Sequence, residues 1–487
     1  MKKVYALFLI VSLLFVSVVT FAIVYNSPQA KPEAKPFYVG VTYCGNSTEE
    51  AKQLIDKVKD YTNLFVLQSG EIQQYPQQIT EICDYAASSD MYFIVYFGFA
   101  RTIYLNEWLE TTYGRWGDKF LGIYYSDELG GKLLDFEAKL GTPETGSFVF
   151  SKCKNGAISG FSVDENSTAS YWVDGRIELI IFEPSELFSL NQTTVQYYPN
   201  GTITATRTID YGVRRLENSS ESEFGTIHFG NTSSIESIPL ENYTATYSYE
   251  ELWALNPFKT YDDVAEGFVY YYCNCVDKNA HGEKNVTAFT SDYALYWWDY
   301  QIGYDVILAQ LGWNHTLTQD IALVRGAARL HNKDWGAIIT WKYNNPPYLD
   351  SGEAIYEQMV MAYDAGATYV VIFNYAEDMV GSYGTLQPEH FEALEQFWNT
   401  VQNQEITHGG TQAEAGLVLP QNYGWGMRNS DDTIWGLWRP DEKSLQIWQL
   451  SRSLLEQYGL GLDIVYTDSA FPVEGVYPQV YYWNQTS

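Results

Sequence analysis

The sequence predicts an α/β protein built on a (β/α)8 TIM barrel, with a β-rich insertion after strand four and a small C-terminal α/β (flavodoxin-like) domain. Three observations predict it. Short apolar runs alternate with segments of helical spacing, which is the rhythm of βαβ units and a parallel sheet. The strands of that rhythm number eight. The rhythm breaks once, over residues 141–287, and ends near residue 402 before a smaller strand-helix-strand unit at 413–487.

Residues 37–43 (FYVGVTY) read as strand one. Residues 47–60 follow as a helix, because Ala51, Leu54, Ile55 and Val58 fall on one face and Ser47 can cap it. Strands two to four are predicted at 63–67, 91–97 and 120–125, with helices at 75–88 and 106–113 between them. After the insertion a helix at 261–272 returns the chain to the barrel. Strand five is read at 294–298, ending at Asp299, and strand six at 305–311; the same stretch also reads as one helix plus one strand. Strands seven and eight are predicted at 335–341 and 369–373, with helices at 319–330, 352–365 and 388–401.

The insertion reads as short β-prone runs with Asn-Gly turns, such as a hairpin over 195–209 about Asn200-Gly201. N-x-S/T acceptors crowd between Asn166 and Asn285, which predicts a solvent-facing, glycosylated region. The C-terminal unit is read as strands at 415–419, 462–466 and 480–483 with a helix at 444–458. Its glycines form no dinucleotide fingerprint, so a scaffold or interface role is expected there and no cofactor.

Composition narrows the partners. A net charge of −31 argues against nucleic acid and against an anionic membrane surface. Aromatic residues make up 16%, and aromatic-rich clefts suit sugar rings. Lys2 and Lys3 precede an uncharged apolar run over 4–24, so residues 1–28 read as an export signal, either a cleaved signal peptide or an N-terminal membrane anchor. A linker follows over 29–36. The expected location is extracellular or at the cell surface. With five cysteines, Cys153 with Cys273 or Cys275, and Cys44 with Cys83, are candidate pairs. No histidine cluster has metal-ligand spacing, and no metal is expected.

The candidate site is read from strand ends, where the catalytic residues of such barrels collect. The run FLGIYY at 120–125 stops at adjacent carboxylates, Asp127 and Glu128, followed by Gly130 and Gly131. Other strand ends offer Tyr43, Gln68, Arg101, Asp299, Gln310, Trp341, Lys342, Asn374 and Tyr375. Carboxylates, amides and aromatics on one rim make a polyol-binding surface.

The stretch Asp127-Glu128-Leu129-Gly130-Gly131 resembles the Asp-Glu-Pro that ends strand four in many glycoside-hydrolase-like barrels. It also parallels the Asn-Glu-Pro of retaining barrel glycosidases. The tail from Ala415 is similar to the class I glutamine-amidotransferase-like or beta-galactosidase middle-domain-like fold, without its cysteine. The resemblance implies that Glu128 is the proton donor, that Asp127 hydrogen-bonds beside it, and that an oligo- or polysaccharide is the partner. It departs at strand seven, where a nucleophilic Glu is replaced by Trp341-Lys342-Tyr343. Asp299 is then the expected second catalytic carboxylate. The alternative is a non-catalytic carbohydrate-binding or structural cell-surface protein on the same barrel.

Overall fold

The computed structural model describes residues 36–98, 102–135, 260–375 and 383–485, apart from residues 281, 283, 313, 314 and 344, together with seven strands between 148 and 247. The apolar N-terminal run, the linker and Arg101 lie outside the described residues.

Eight parallel strands close a barrel: β1 (Tyr38–Tyr43), β2 (Leu64–Leu67), β3 (Tyr92–Phe97), β4 (Phe120–Tyr125), β12 (Ala288–Asp292), β13 (Val306–Leu311), β14 (Asp334–Ile339) and β15 (Tyr369–Ile372). Each neighbours the next in chain order, and β15 returns to β1. The intervening helices are α1 (Thr48–Val58), α2 (Pro76–Ser88), α3 (Thr102–Thr112), α4 (Leu129–Leu134), α5 (Tyr261–Asn279), α6 (Tyr296–Ile302), α7 (Leu317–His331), α8 (Gly352–Asp364) and α9 (Pro388–Gln402). Helix α1 forms as its sequence dictates: Ser47 Oγ accepts from the Glu50 amide, and Ala51, Leu54, Ile55 and Val58 are buried.

Between α4 and α5 the chain forms two antiparallel sheets. One pairs β5 (Phe148–Cys153) with β11 (Leu240–Tyr247). The other orders β6 (Ser167–Tyr171), β7 (Ile177–Phe182), β8 (Leu190–Tyr197), β9 (Ile203–Asp210) and β10 (Thr226–Gly230) in sequence. The expected hairpin is the β8–β9 pair, with Tyr197 opposite Ile203.

One strand falls elsewhere than predicted. The fifth barrel strand is β12, residues 288–292, and residues 296–302 are helix α6. The helix-plus-strand reading of 294–311 is the one the chain adopts. β12 reads AFTSD, too polar at its end to resemble a core strand, yet every one of its residues is buried. Its polar groups are tolerated because they find hydrogen-bond partners inside the barrel mouth.

The two-residue period of the strands sorts the barrel interior. Its floor is aromatic: Tyr38 stacks on Tyr369 at 5.0 Å, and Phe289 meets Tyr369 edge-on at 5.2 Å. Above lie Leu64, Val66, Ile94, Leu308, Ile338 and Val371. The interior thus turns from apolar to polar towards the strand C-termini, where Gln68, Ser291, Gln310 and Thr340 continue the inward-facing rows.

Three parallel strands, in the order β17 (Leu462–Tyr466), β16 (Ala415–Leu419), β18 (Gln479–Tyr482), form the C-terminal sheet, with α10 (Glu442–Tyr458) connecting β16 to β17. Helix α7 lies between this sheet and the barrel, and residues 319–328 are buried without a break. Gly326 permits the approach, since a Cβ there would sit 2.8 Å from the Ile464 carbonyl oxygen. Arg325 Nε donates to Asp463 Oδ1 at 2.7 Å, and Arg329 Nε lies 3.1 Å from the other oxygen. Arg325 also donates to the backbone carbonyls of Leu460 and Leu462. Both Arg325 and Asp463 are buried.

The candidate Cys44–Cys83 disulfide is not formed, and none joins Cys273 among the described residues. Cys83 is buried within α2 and Cys44 is half-buried at the end of β1.

Removing one partner of a buried ion pair leaves an uncompensated charge. Arg325→Ala is therefore expected to destabilise the whole chain by about 3–5 kcal/mol in urea unfolding, and the double variant Arg325→Ala with Asp463→Leu to recover much of that loss.

Candidate active site

The site is organised at the end of β4. Ser126 and Glu128 both hold left-handed backbone, with φ of 62° and 58°. Each such residue with a side chain costs roughly 1–2 kcal/mol, so surrounding contacts must fix the turn. They do. The Ser126 amide donates to the Phe97 carbonyl and the Glu128 amide to the Ser291 carbonyl, both at 2.9 Å.

Asp292, at the end of β12, supplies the stronger constraint. Its carboxylate accepts from the backbone amides of Gly130 at 2.6 Å, Gly131 at 2.9 Å, Tyr293 at 2.7 Å and Ala294 at 3.2 Å. Both glycines are required by space. A Cβ on Gly131 would lie 2.1 Å from the Tyr293 ring, and one on Gly130 would lie 2.7 Å from Leu295 Cβ. The pair after the carboxylates lets α4 press onto the loop that follows β12.

Asp127 and Glu128 open into a cavity of about 310 Å³ at the barrel mouth. Gln68, Ser291, Gln310 and Thr340 supply polar lining; Ile338, Trp341, Phe373 and Tyr375 form the facing wall. Trp341 packs against Tyr375 at 5.3 Å, and Phe373 stacks on Tyr375 at 6.1 Å.

Asp127 points inward. Tyr124 Oη lies 2.6 Å from Asp127 Oδ1 and 2.6 Å from Ser291 Oγ, and Ser291 Oγ lies 2.8 Å from Asp127 Oδ1. Three oxygens in mutual contact share only two hydroxyl hydrogens, and a protonated Asp127 supplies the third. The electrostatics agree. Burial, then the charge of Glu128, push the Asp127 carboxyl up to about 6, against the opposing hydrogen bonds from Tyr124 and Ser291.

Glu128 is held differently. Gln310 Nε2 donates to its Oε1 at 2.8 Å, and to Ser291 Oγ at 3.0 Å. Lys132 Nζ, one helical turn on, lies 3.1 Å from Oε2. One carboxylate is locked into a hydroxyl network and the other is presented between an amide and an ammonium.

Of the sequence-predicted residues, Asp127, Glu128, Gln68, Gln310, Trp341 and Tyr375 line one cavity. Asp299 does not. It sits on α6, fully buried, and neither oxygen of its carboxyl has a hydrogen-bond partner among the described residues. Burial and the Asp292 charge push it well above the usual carboxylate range, while burial pushes Asp292 itself up to about 7. Asp299 thus belongs to the interior beside Asp292 and not to the cavity lining. Tyr43 faces outward, because the period that turns Tyr38 inward turns Tyr43 towards α1; its hydroxyl donates to the Ser47 carbonyl at 2.8 Å. Lys342 turns to Asp350 at 3.3 Å. Asn374 is a staple, its Oδ1 accepting from the Thr385 amide at 3.0 Å and hydroxyl at 3.1 Å.

Tyr124, Ser291, Thr340 and Phe373 join the site without having been singled out from sequence. Ser291 was hidden because residues 288–292 fall between the insertion and the strand read at 294–298, where the sequence predicts no element. The inward period of β4 and β15 was the signal available for Tyr124 and Phe373. Among the described residues no group of three or more His, Cys, Asp or Glu side chains is placed to hold a metal ion.

The Asp127 carboxyl rises from 3.8 to about 6 on folding, so the folded state binds the proton more tightly. That contribution to stability is present below pH ~4 and is lost as pH rises through ~6. Thermal unfolding across pH 4–7 is expected to show a shallower fall in midpoint for Asp127→Asn than for the parent chain.

Comparison with known proteins adds no relative to this geometry: neither a protein-family model nor any curated protein matches the chain.

Proposed function

We propose that the chain is an exported glycoside-hydrolase-like protein that acts on or binds an oligo- or polysaccharide at the barrel mouth. The observation that carries this reading is the adjacent pair Asp127–Glu128 opening into a cavity whose facing wall includes Trp341, Phe373 and Tyr375. Aromatic rings stack on the apolar faces of sugars, and amides and carboxylates bind their hydroxyls. The basic start and apolar run over 1–28, with the sequons, support an extracellular or cell-surface location.

In this reading Glu128 is the acid/base group. Gln310 and Lys132 orient its carboxylate towards the cavity. Asp127, protonated below about pH 6, limits the pair to one negative charge there, with its proton held in the network of Tyr124 and Ser291. Glycosidases ordinarily place a second carboxylate across the scissile bond. The described wall opposite Glu128 offers Thr340 and aromatics instead. That favours a second reading, a protein that binds glycans on the same barrel without turning them over.

Hydrolysis and binding across a panel of neutral and acidic oligosaccharides separate the two. If the chain is hydrolytic, Glu128→Gln is expected to lower kcat by about 10²–10⁴-fold while leaving glycan binding in place. Full rate in Glu128→Gln removes Glu128 from the role. Binding without turnover in the parent chain selects the second reading. Trp341→Ala is expected to weaken glycan binding roughly tenfold in either case, read by titration calorimetry.

A further inference from the structure

We propose a second, separate saccharide site in the cleft between the C-terminal sheet and helices α5 and α6. A cavity of about 500 Å³ opens there. Its position follows from topology. The chain leaves β16 through α10 to reach β17 on one side, then crosses to β18 on the other. In open parallel α/β sheets, ligands bind outside the strand C-termini, and this cavity opens beyond those of the neighbouring strands β16 and β17. Gln421 and Asn422 follow the C-terminus of β16, Asp468 follows that of β17, and all three line the cavity.

The lining specifies the ligand class. Asp468 is pre-set for a further donor: its Oδ1 accepts from the Ala470 amide at 2.8 Å and its Oδ2 from Gln301 Nε2 at 3.0 Å. Asn422 is fixed by donating from its side-chain Nδ2 to Asp262 Oδ1 at 2.8 Å, which turns its side-chain Oδ1 into the acceptor of that amide. Glu266 adds a carboxylate. Among the described residues no Lys, Arg or His side chain lines the cleft, so phosphates, nucleotides and uronates are disfavoured. Along α5, Ala265 and Val269 lie one turn apart and Tyr270 follows beside them, 76% exposed. Acceptor-rich polar groups beside an exposed aromatic ring match a neutral sugar, with many hydroxyl donors and one apolar face. The cavity is large enough for one or two rings. This site uses no residue of the barrel mouth and stands whether or not that mouth is hydrolytic.

The test uses the full chain carrying Trp341→Ala, which removes one ring of the aromatic wall and weakens the barrel mouth, so that binding there and at the cleft is told apart by the added substitutions. Saturation-transfer NMR is run with methyl β-glucoside, methyl β-galactoside, methyl α-mannoside and N-acetylglucosamine, and with glucuronate and putrescine as charged controls. At least one neutral sugar is expected to bind, and adding Tyr270→Ala or Gln301→Ala is expected to weaken it roughly tenfold. Both side chains are at least partly exposed, so circular dichroism of these variants should match the parent. The proposal is overturned if no neutral sugar binds, if neither added substitution weakens binding, or if glucuronate or putrescine is preferred.

Discussion

Four backbone amides converge on the Asp292 carboxylate, and the rest of the site depends on that convergence. A buried carboxylate is costly unless its lone pairs are used. Here they are used to tie the end of β12 to the segment just beyond the β4 carboxylates. The tie fixes a turn that holds two non-glycine residues in left-handed backbone. Asp127 is thereby turned into the hydroxyl network and Glu128 out into the cavity. Asp299 sits beside Asp292, and burial together with the Asp292 charge disfavours its ionised form.

The C-terminal domain reinforces the same turn from below. Thr433 Oγ1 donates to the Leu134 carbonyl at 3.2 Å, at the end of α4. Arg428 bridges Asp135 and Asp432. Gly436, at φ 67°, comes so close that a Cβ would lie 2.1 Å from the Leu133 carbonyl oxygen. Trp298, on α6, packs at 4.5 Å against both Trp435 and Tyr466. The domain therefore supports the helix that follows Glu128 and the helix that carries Asp299. Its expected scaffold role has a physical basis in these contacts.

The barrel was legible because a period-two apolar run and a period-3.6 amphipathic run are different patterns, and seven of eight strands carry the first clearly. β12 does not, because its final residues work by hydrogen bonding rather than by apolar burial. That local exception displaced strand five onto the aromatic helix 296–302 and moved Asp299 to a strand end it does not occupy. Asp127, Glu128, Gln68 and Gln310 were legible as polar residues closing apolar strands. Tyr43, Lys342 and Asn374 were misplaced for a different reason: a strand end marks the correct rim, but parity and loop direction decide which side chains face its centre. Ser291 could not be found while its strand went unrecognised.

Helix α7 carries a consequence for how the chain can be divided. In an ordinary barrel its outward face would meet water. Here that face holds Arg325 and Gly326 and is covered by β17. A fragment cut in the polar linker after α9 would present a hydrophobic helix surface with a buried arginine stripped of its carboxylate. The linker is thus a boundary of topology and not of cooperativity. The barrel and the small sheet make one compact unit.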